Sequence, residues 1–273
     1  MSKLPKLNSQ KVKDEISLFI QDKVSKSHSE GIVIGLSGGI DSTVSAYLAT
    51  ETIGRENIFG IHMFSSTTPK EDTDHARLIA KILDIEYKEV NIDSISKEFI
   101  KIADENNEDY TSECLKLSTG NLKARIRMSL LYYFANLKNY LVIGTGNRSE
   151  LLIGYFTKYG DGACDMEPIG DIYKSQLREL SRDWNIPEEI IVKPPRAGLW
   201  PGQTDEDEIG LSYELLDNLL YMIIDEDLTN KEIRNVLEIS DDEINMIRNK
   251  VINSRHKVQM PEIPIVSNKI DRT

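Results

Sequence analysis

Apolar and polar positions along the 273-residue chain follow two rhythms. Over residues 9–29, Val12, Ile16, Phe19, Ile20 and Val24 recur at helical spacing with charges between them, which predicts an amphipathic helix. Gly31-Ile32-Val33-Ile34-Gly35-Leu36 is short, β-branched and bounded by glycine, the pattern of a buried strand. The alternation then continues: helix over 41–52, strand over 57–64, helix over 72–83, strand over 86–92, helix over 94–103. This rhythm predicts βαβ crossovers and a parallel sheet. A polar stretch, 105–113, interrupts it. A long helix over about 120–137 leads into a fourth strand over 140–144. Residues 157–167 read as a Gly/Asp-rich loop, and 174–185 as a helix. Residues 193–204 (KPPRAGLWPGQT) hold three prolines and two glycines and cannot be regular structure. Three helices are expected over 205–253, and a Pro-punctuated extended tail after Lys257. The fold class expected is α/β: a doubly wound, mostly parallel sheet flanked by helices, with a C-terminal helical extension (about 205–256) packed on it, all one domain over 1–273.

Composition narrows the function classes. Net charge is −12, so the whole-molecule field disfavours a general nucleic-acid or anionic-membrane binder. The charge is unevenly placed, however. Residues 205–243 carry fourteen acids against two bases, and the remainder is balanced at 31 of each. The acidity therefore reads as a solvated face of the C-terminal helices and leaves room for a cationic site elsewhere. Cys114 and Cys164 form no metal-binding or disulfide spacing. Apolar runs fall well short of the ~20 residues that span a bilayer. The N-terminus lacks the apolar core of a secretion signal, so a cytoplasmic setting is expected.

The strongest local chemistry is Gly35-Leu36-Ser37-Gly38-Gly39-Ile40-Asp41-Ser42, between the first strand and its helix. Glycines there permit a tight turn, backbone N–H groups converge on one anion, and the helix N-terminus adds partial positive charge. Ser37 and Ser42 can donate to phosphate oxygens. Asp41 would repel a phosphate unless a cation intervenes, which predicts Mg²⁺. The loop is neither GxxxxGK[ST] nor GxGxxG. It resembles the SGGxDS phosphate loop of N-type ATP pyrophosphatases, which split ATP between its α and β phosphates.

Four further segments narrow the resemblance: Asn121-Leu122-Lys123-Ala124-Arg125-Ile126-Arg127-Met128, Gly144-Thr145-Gly146-Asn147-Arg148-Ser149-Glu150, Gly154-Tyr155-Phe156-Thr157-Lys158-Tyr159-Gly160-Asp161-Gly162 and Glu167-Pro168-Ile169-Gly170-Asp171-Ile172-Tyr173-Lys174. Arg255-His256-Lys257 follows near the end. In this order the chain resembles ammonia-dependent NAD⁺ synthetases from the first helix to about Pro264. That resemblance implies amidation of deamido-NAD⁺ by ammonia through an adenylated intermediate, with ATP converted to AMP and diphosphate. It implies that Gly35, Leu36, Ser37, Gly38, Gly39, Ile40, Asp41 and Ser42 bind ATP together with Thr145 and Lys174. Asp41 and Glu150 would hold Mg²⁺. Arg125, Lys158, Asp165, His256 and Lys257 would contact deamido-NAD⁺. A symmetric homodimer is implied, with the dinucleotide site at the subunit boundary. The long helix, carrying Ile126, Leu130, Leu131 and Phe134, is a candidate interface, though the same residues suit a core face.

Three positions stand apart. Asp161 is assigned a catalytic role beside Lys174: a carboxylate there would attract ammonium and take its proton. Arg196 occupies a position where the family usually has a small hydroxyl residue touching ATP, and an arginine there would reach a phosphate. Arg127 points to a different helix face from Arg125 and is expected to be structural. Residues 193–204 are expected to act as a lid that keeps water from the adenylate, with Trp200 as a candidate stacking residue. The chain has no room for the amidohydrolase domain that some NAD⁺ synthetases carry, so free ammonia or a separate glutaminase is implied. The competing readings are a tRNA-modifying enzyme of the same loop class and a nucleotide sensor with a degenerate site. The first would want catalytic cysteines and a basic RNA face, and neither is evident.

Overall fold

The computed structural model describes residues 4–103, 110–196, 198–200 and 202–264. Most of the polar interruption (104–109), Ala197 and Pro201 of the irregular segment, and the tail beyond 264 lie outside them. Elements run in the expected order. Helix α1 (Ser9–Ser27), capped by Asn8, leads to β1 (Gly31–Gly35), α2 (Ile40–Ile53), β2 (Ile58–Phe64), α3 (Lys70–Leu83), β3 (Glu86–Asn91) and α4 (Asp93–Ala103). Next come α5 (Ser112–Lys138), β4 (Tyr140–Ile143) and α6 (Arg148–Ile153), then α7 (Lys174–Asp183) and the short α8 (Glu188–Ile191).

Helix α5 begins earlier than its periodicity suggests. Thr111 supplies an N-cap by accepting the Cys114 N–H, so Cys114 sits in a first helical turn and not in a linker. The acidic extension contains more breaks than the three expected helices. It forms α9 (Asp205–Ile209), α10 (Tyr213–Leu220), a π-helical turn (Tyr221–Asp225), α11 (Asn230–Arg234) and α12 (Asp241–Ser254). Gly210, at φ +87°, ends α9, and Ser212 caps α10. Thr229 and Ser240 each open a helix through a capping box. Among the described residues no helix is long and apolar enough to cross a membrane.

The described strands are parallel in the order β3-β2-β1-β4. Successive β1 residues face opposite sides, as a strand requires. Ile32 and Ile34 join one core cluster with residues of α1, α2, α3 and α7. Val33 joins another, with Phe59, Ile61 and Met63 of β2, Val142 of β4 and Ile126 and Ala135 of α5. The sheet is thus covered on both faces. The chain steps from β1 outward to β2 and β3, then returns to place β4 on the other side of β1. That reversal opens a crevice between the loops after β1 and β4, where α/β sheets bind ligands.

The extension has its own apolar cluster, built on Leu216, Leu219, Leu220, Ile244 and Ile247. One polar tie to the sheet domain is Asp217, fully buried on α10. This carboxylate accepts from the Ser149 hydroxyl at the start of α6 and from the Ser175 N–H (2.7 Å) and hydroxyl (2.6 Å) at the start of α7. Ser149 in turn accepts the Lys174 N–H at 3.0 Å. Asp217→Ala would strand these buried donors, at a cost of about 2 to 4 kcal/mol. Urea unfolding should show a midpoint shift of that size, with Asp217→Asn milder because one acceptor remains. An unchanged midpoint in the alanine variant would show that the Asp217 hydrogen bonds do not stabilise the junction.

Candidate active site

A cavity of about 500 Å³ opens at the crevice, lined by residues of the loops after β1 and β4, by α5, by the segment 154–163 and by described residues of 193–203. The phosphate loop forms its floor. Gly38 has φ +78°, and a Cβ there would lie 2.1 Å from the Asp72 carbonyl oxygen, so both conformation and space demand glycine. Gly39 precedes α2 without a side-chain cap, so the first turn of that helix keeps its N–H groups for another acceptor. The Ser37 and Ser42 hydroxyls meet at 3.0 Å, and Ser42 also donates to the Gly39 carbonyl at 3.1 Å.

Lys174, at the first turn of α7, projects into this floor with only 1 % of its side chain exposed. Its ammonium pairs with Asp41 and lies 3.4 Å from Glu150. Burial alone would depress the Lys174 pKa, but Asp41, Glu150 and Asp205 outweigh it and hold the lysine charged. Glu150 is pushed up by burial, and Lys174 opposes that shift. Glu150 is placed by an α6 capping box with Asn147, whose side-chain amide donates to Asp41 at 2.9 Å. The loops after β1 and β4 are therefore joined through one amide and one ammonium. Asp205 (4 % exposed) and Tyr213 (fully buried) complete the cluster, the Tyr213 hydroxyl lying 3.4 Å from Glu150 and 3.3 Å from Asp205. Part of the acidic extension is thus an inner wall of the site, which corrects its reading as a purely solvated face.

The other predicted residues separate into groups. Thr145 and Asp161 line the cavity. Asp161 lines the cavity as an exposed residue; it accepts the Thr157 N–H at 2.9 Å, and the protein packed around it raises its pKa. Arg125, Lys158 and His256 form a chain at the rim: Arg125 donates to the Lys158 carbonyl at 3.3 Å, and Lys158 donates to the His256 carbonyl at 2.6 Å. Lys257 reaches the cavity edge and donates to the Gly154 and Phe156 carbonyls. Asp165 is turned to the sheet, where it accepts from the Val142 N–H at 2.7 Å and the Tyr132 hydroxyl at 3.1 Å. Arg196 lines the cavity, but its guanidinium pairs with Glu71 at 2.6 Å and Asp72 at 2.8 Å.

The segment expected to be a lid is seated over the cavity. Lys193 is buried and donates to the Gly38 carbonyl and to Asp72 at 2.9 Å, tying the segment's root to the phosphate loop. Lys123 of α5 donates to the Leu199 carbonyl at 3.3 Å, and Lys116 lies over the Trp200 ring at 4.2 Å. Trp200 is among the lining residues. Asp205 and Tyr213 carry no sequence signal as site residues, because each reaches the site from a distant part of the chain, whereas Lys123 and Lys193 lie in segments singled out by sequence without being marked individually. Arg127 lines the cavity, donating from Nε to the Met63 carbonyl at 2.9 Å, while Arg125 faces outward at the rim, so the two arginines point to different faces as their spacing requires.

The sequence profile of the NAD synthase family matches residues 12–261, nearly the whole chain. The chain belongs to the NAD synthase family. An NH₃-dependent NAD⁺ synthetase of Methanosarcina acetivorans is 43 % identical over 256 residues, covering 93 % of this chain and 98 % of that one. Among solved structures, the NH₃-dependent NAD synthetase of Campylobacter jejuni, in complex with nitrate, is 36 % identical with a TM-score of 0.77, covering 94 % and 99 % of the two chains. The NMN synthetase of Francisella tularensis is 32 % identical with a TM-score of 0.81, covering 95 % and 100 %. Fold and sequence thus place this NAD synthase chain with relatives that align along almost their full length.

Glu167, behind the Gly144–Gly146 turn, generates a testable pH dependence. It accepts the Gly146 N–H at 2.9 Å and the Cys164 thiol at 3.2 Å, and burial pushes its pKa from 4.5 to about 7. Its folded pKa exceeds the unfolded one, so folding takes up a proton. The stability it contributes is present below about pH 4.5 and is lost as pH rises towards 7. Glu167→Gln keeps an acceptor without the charge. Thermal melts should show this variant gaining on the parent between pH 5 and 8, by on the order of 2 kcal/mol at the upper end. Parallel curves for the two proteins would refute the assignment.

Proposed function

We propose that the chain is the enzyme that amidates deamido-NAD⁺ to NAD⁺ with ammonia and ATP, the last step of NAD⁺ biosynthesis. The observation that carries this reading is Lys174, paired with Asp41 and Glu150 at the switch of the sheet and directly above the SGGIDS loop. A carboxylate is a poor acylating agent, and the site is built to change that. One nicotinate carboxylate oxygen attacks the α-phosphorus of ATP as the bond to the departing pyrophosphate breaks. Ammonia then adds to the activated carbonyl carbon. The C–O bond to AMP breaks, its electron pair leaves with AMP, and the surplus proton passes to Asp161. The products are NAD⁺, AMP, diphosphate and one proton.

Residues 35–42 and the N-terminus of α2 receive the phosphates, with Thr145 and Lys174 beside them. Arg196 takes a phosphate by exchanging its Glu71 and Asp72 partners for it. Arg125, Lys158, His256 and Lys257 receive the dinucleotide at the rim, and Asp165 braces the same wall through Val142 and Tyr132. Mg²⁺ fits the donor set as a shared ion. Asp41 and Glu150 already converge on one ammonium, but among the described residues no three acidic, histidine or cysteine side chains form a complete cage. Substrate phosphates and water would supply the other ligands, as this ion prefers. When bound, it would neutralise charge growing on the pyrophosphate. The likeness to an NMN synthetase favours one second reading: the same chemistry on the mononucleotide acid.

We also infer a homodimer. Ile126 belongs to the core, and Leu130, Leu131 and Phe134 pack against the core at the sheet. The interface would instead use the exposed apolar residues of α5, Leu115, Leu117, Tyr133 and Leu137. Sedimentation of the parent should give a dimer at micromolar concentration, and Tyr133→Glu with Leu137→Glu a monomer. A monomeric parent would end this inference.

The activity is tested with ATP, Mg²⁺, ammonium and either deamido-NAD⁺ or its mononucleotide counterpart. Diphosphate release should require both the nicotinate acid and ammonium, and the faster acid names the substrate. Asp161→Asn should lower turnover about 100-fold or more while ATP affinity changes little. Equal, modest losses in both would remove Asp161 from the proton transfer.

A further inference from the structure

Two arginines two residues apart on α5 have opposite surroundings. Arg125 is exposed at the rim. Arg127 is half-buried in the cavity wall, and its terminal guanidinium nitrogens have no hydrogen bond or ion pair to protein among the described residues; only Nε is engaged, by Met63. Burial lowers its pKa to about 10, so it remains a cation at neutral pH. A half-buried cation that lines a cavity with its terminal donors unengaged by protein is open to an anionic ligand. Its cavity is the one in which two anionic substrates must meet.

We propose that Arg127 is the residue that recognises the nicotinate carboxylate, and so separates the acid substrate from the amide product. This rests on the activity proposed above. The phosphates have their own cradle in residues 35–42 and Lys174, on the floor of the crevice. Arg127 lies on the α5 wall. The charge that acts on it there is Asp161, and Arg127 acts on Asp161 in return. Asp161 is where ammonia would lose its proton, so the carbon that ammonia attacks must come close to it. A guanidinium can hold a planar carboxylate through two parallel N–H donors, whereas a carboxamide offers one oxygen and no charge. Arg127 therefore grips the substrate before adenylation and loosens its grip as the charge disappears. Met128 and Leu131 also line the cavity.

The test is equilibrium binding of deamido-NAD⁺, NAD⁺ and ATP to the parent, Arg127→Gln and Arg127→Lys. The parent should prefer the acid to the amide. In Arg127→Gln, acid affinity should fall at least tenfold, with NAD⁺ and ATP affinities changed less than twofold. Arg127→Lys should recover part of the loss. NAD⁺ and ATP binding also report that each variant is folded, since loss of the Met63 hydrogen bond alone would weaken all three ligands together. Equal losses for acid and amide, a selective loss of ATP, or no change would each overturn the proposal. A parent that makes no NAD⁺ from the acid, ATP and ammonium would fail on the activity. An active parent whose glutamine variant keeps its acid preference would fail on Arg127 alone.

Discussion

Everything at this site depends on one buried ammonium. Lys174 sits where the loop after β1, the loop after β4 and the acidic extension converge. Two carboxylates so close to a phosphate loop would repel each other and the ligand. A lysine with almost no exposure would be costly without them. Each makes the other tolerable, and together they hold three distant parts of the chain in register. Asp217 extends the same arrangement outward by fixing the turns that carry Ser149 and Lys174. The extension is thus part of the site's framework.

The covering segment follows a similar logic. The described residues between Lys193 and Gln203 form no helix or strand, yet lysine ties hold them at Lys193 and at Leu199. Lys193 grips the phosphate loop, and Lys123 holds the Leu199 carbonyl. Arg196 is paired with acids of α3. The segment's described residues are thus held by contacts between charged side chains, carboxylates and backbone carbonyls.

Much of the fold was legible in advance. The β-branched run 32–34 between glycines, the helical spacing of Ile16 and Ile20, and the recurring βα rhythm are local patterns with local causes. The start of α5 was less visible, because Leu115 and Leu117 are exposed and the decisive signal was the Thr111 cap. The extension is mostly the solvated acidic face that its composition suggests, with two exceptions that composition cannot show. A run of acids resembles a solvated face whether or not single members point inward, and Asp205 and Asp217 do point inward.

The sequence by itself determined the phosphate loop, the parallel sheet and the family, because each rests on residues adjacent along the chain or on a fixed order of motifs. Gly38 could be read as a turn glycine without coordinates. Only the tertiary structure decided which charges meet. Lys174 and Asp41 are far apart in sequence, and nothing local pairs them. Arg125 and Arg127 share a helix and a charge, and the wall against which α5 packs decided which of them enters the cavity. Electrostatic roles are set by neighbours in space, and those neighbours are chosen when the sheet and the extension close on each other.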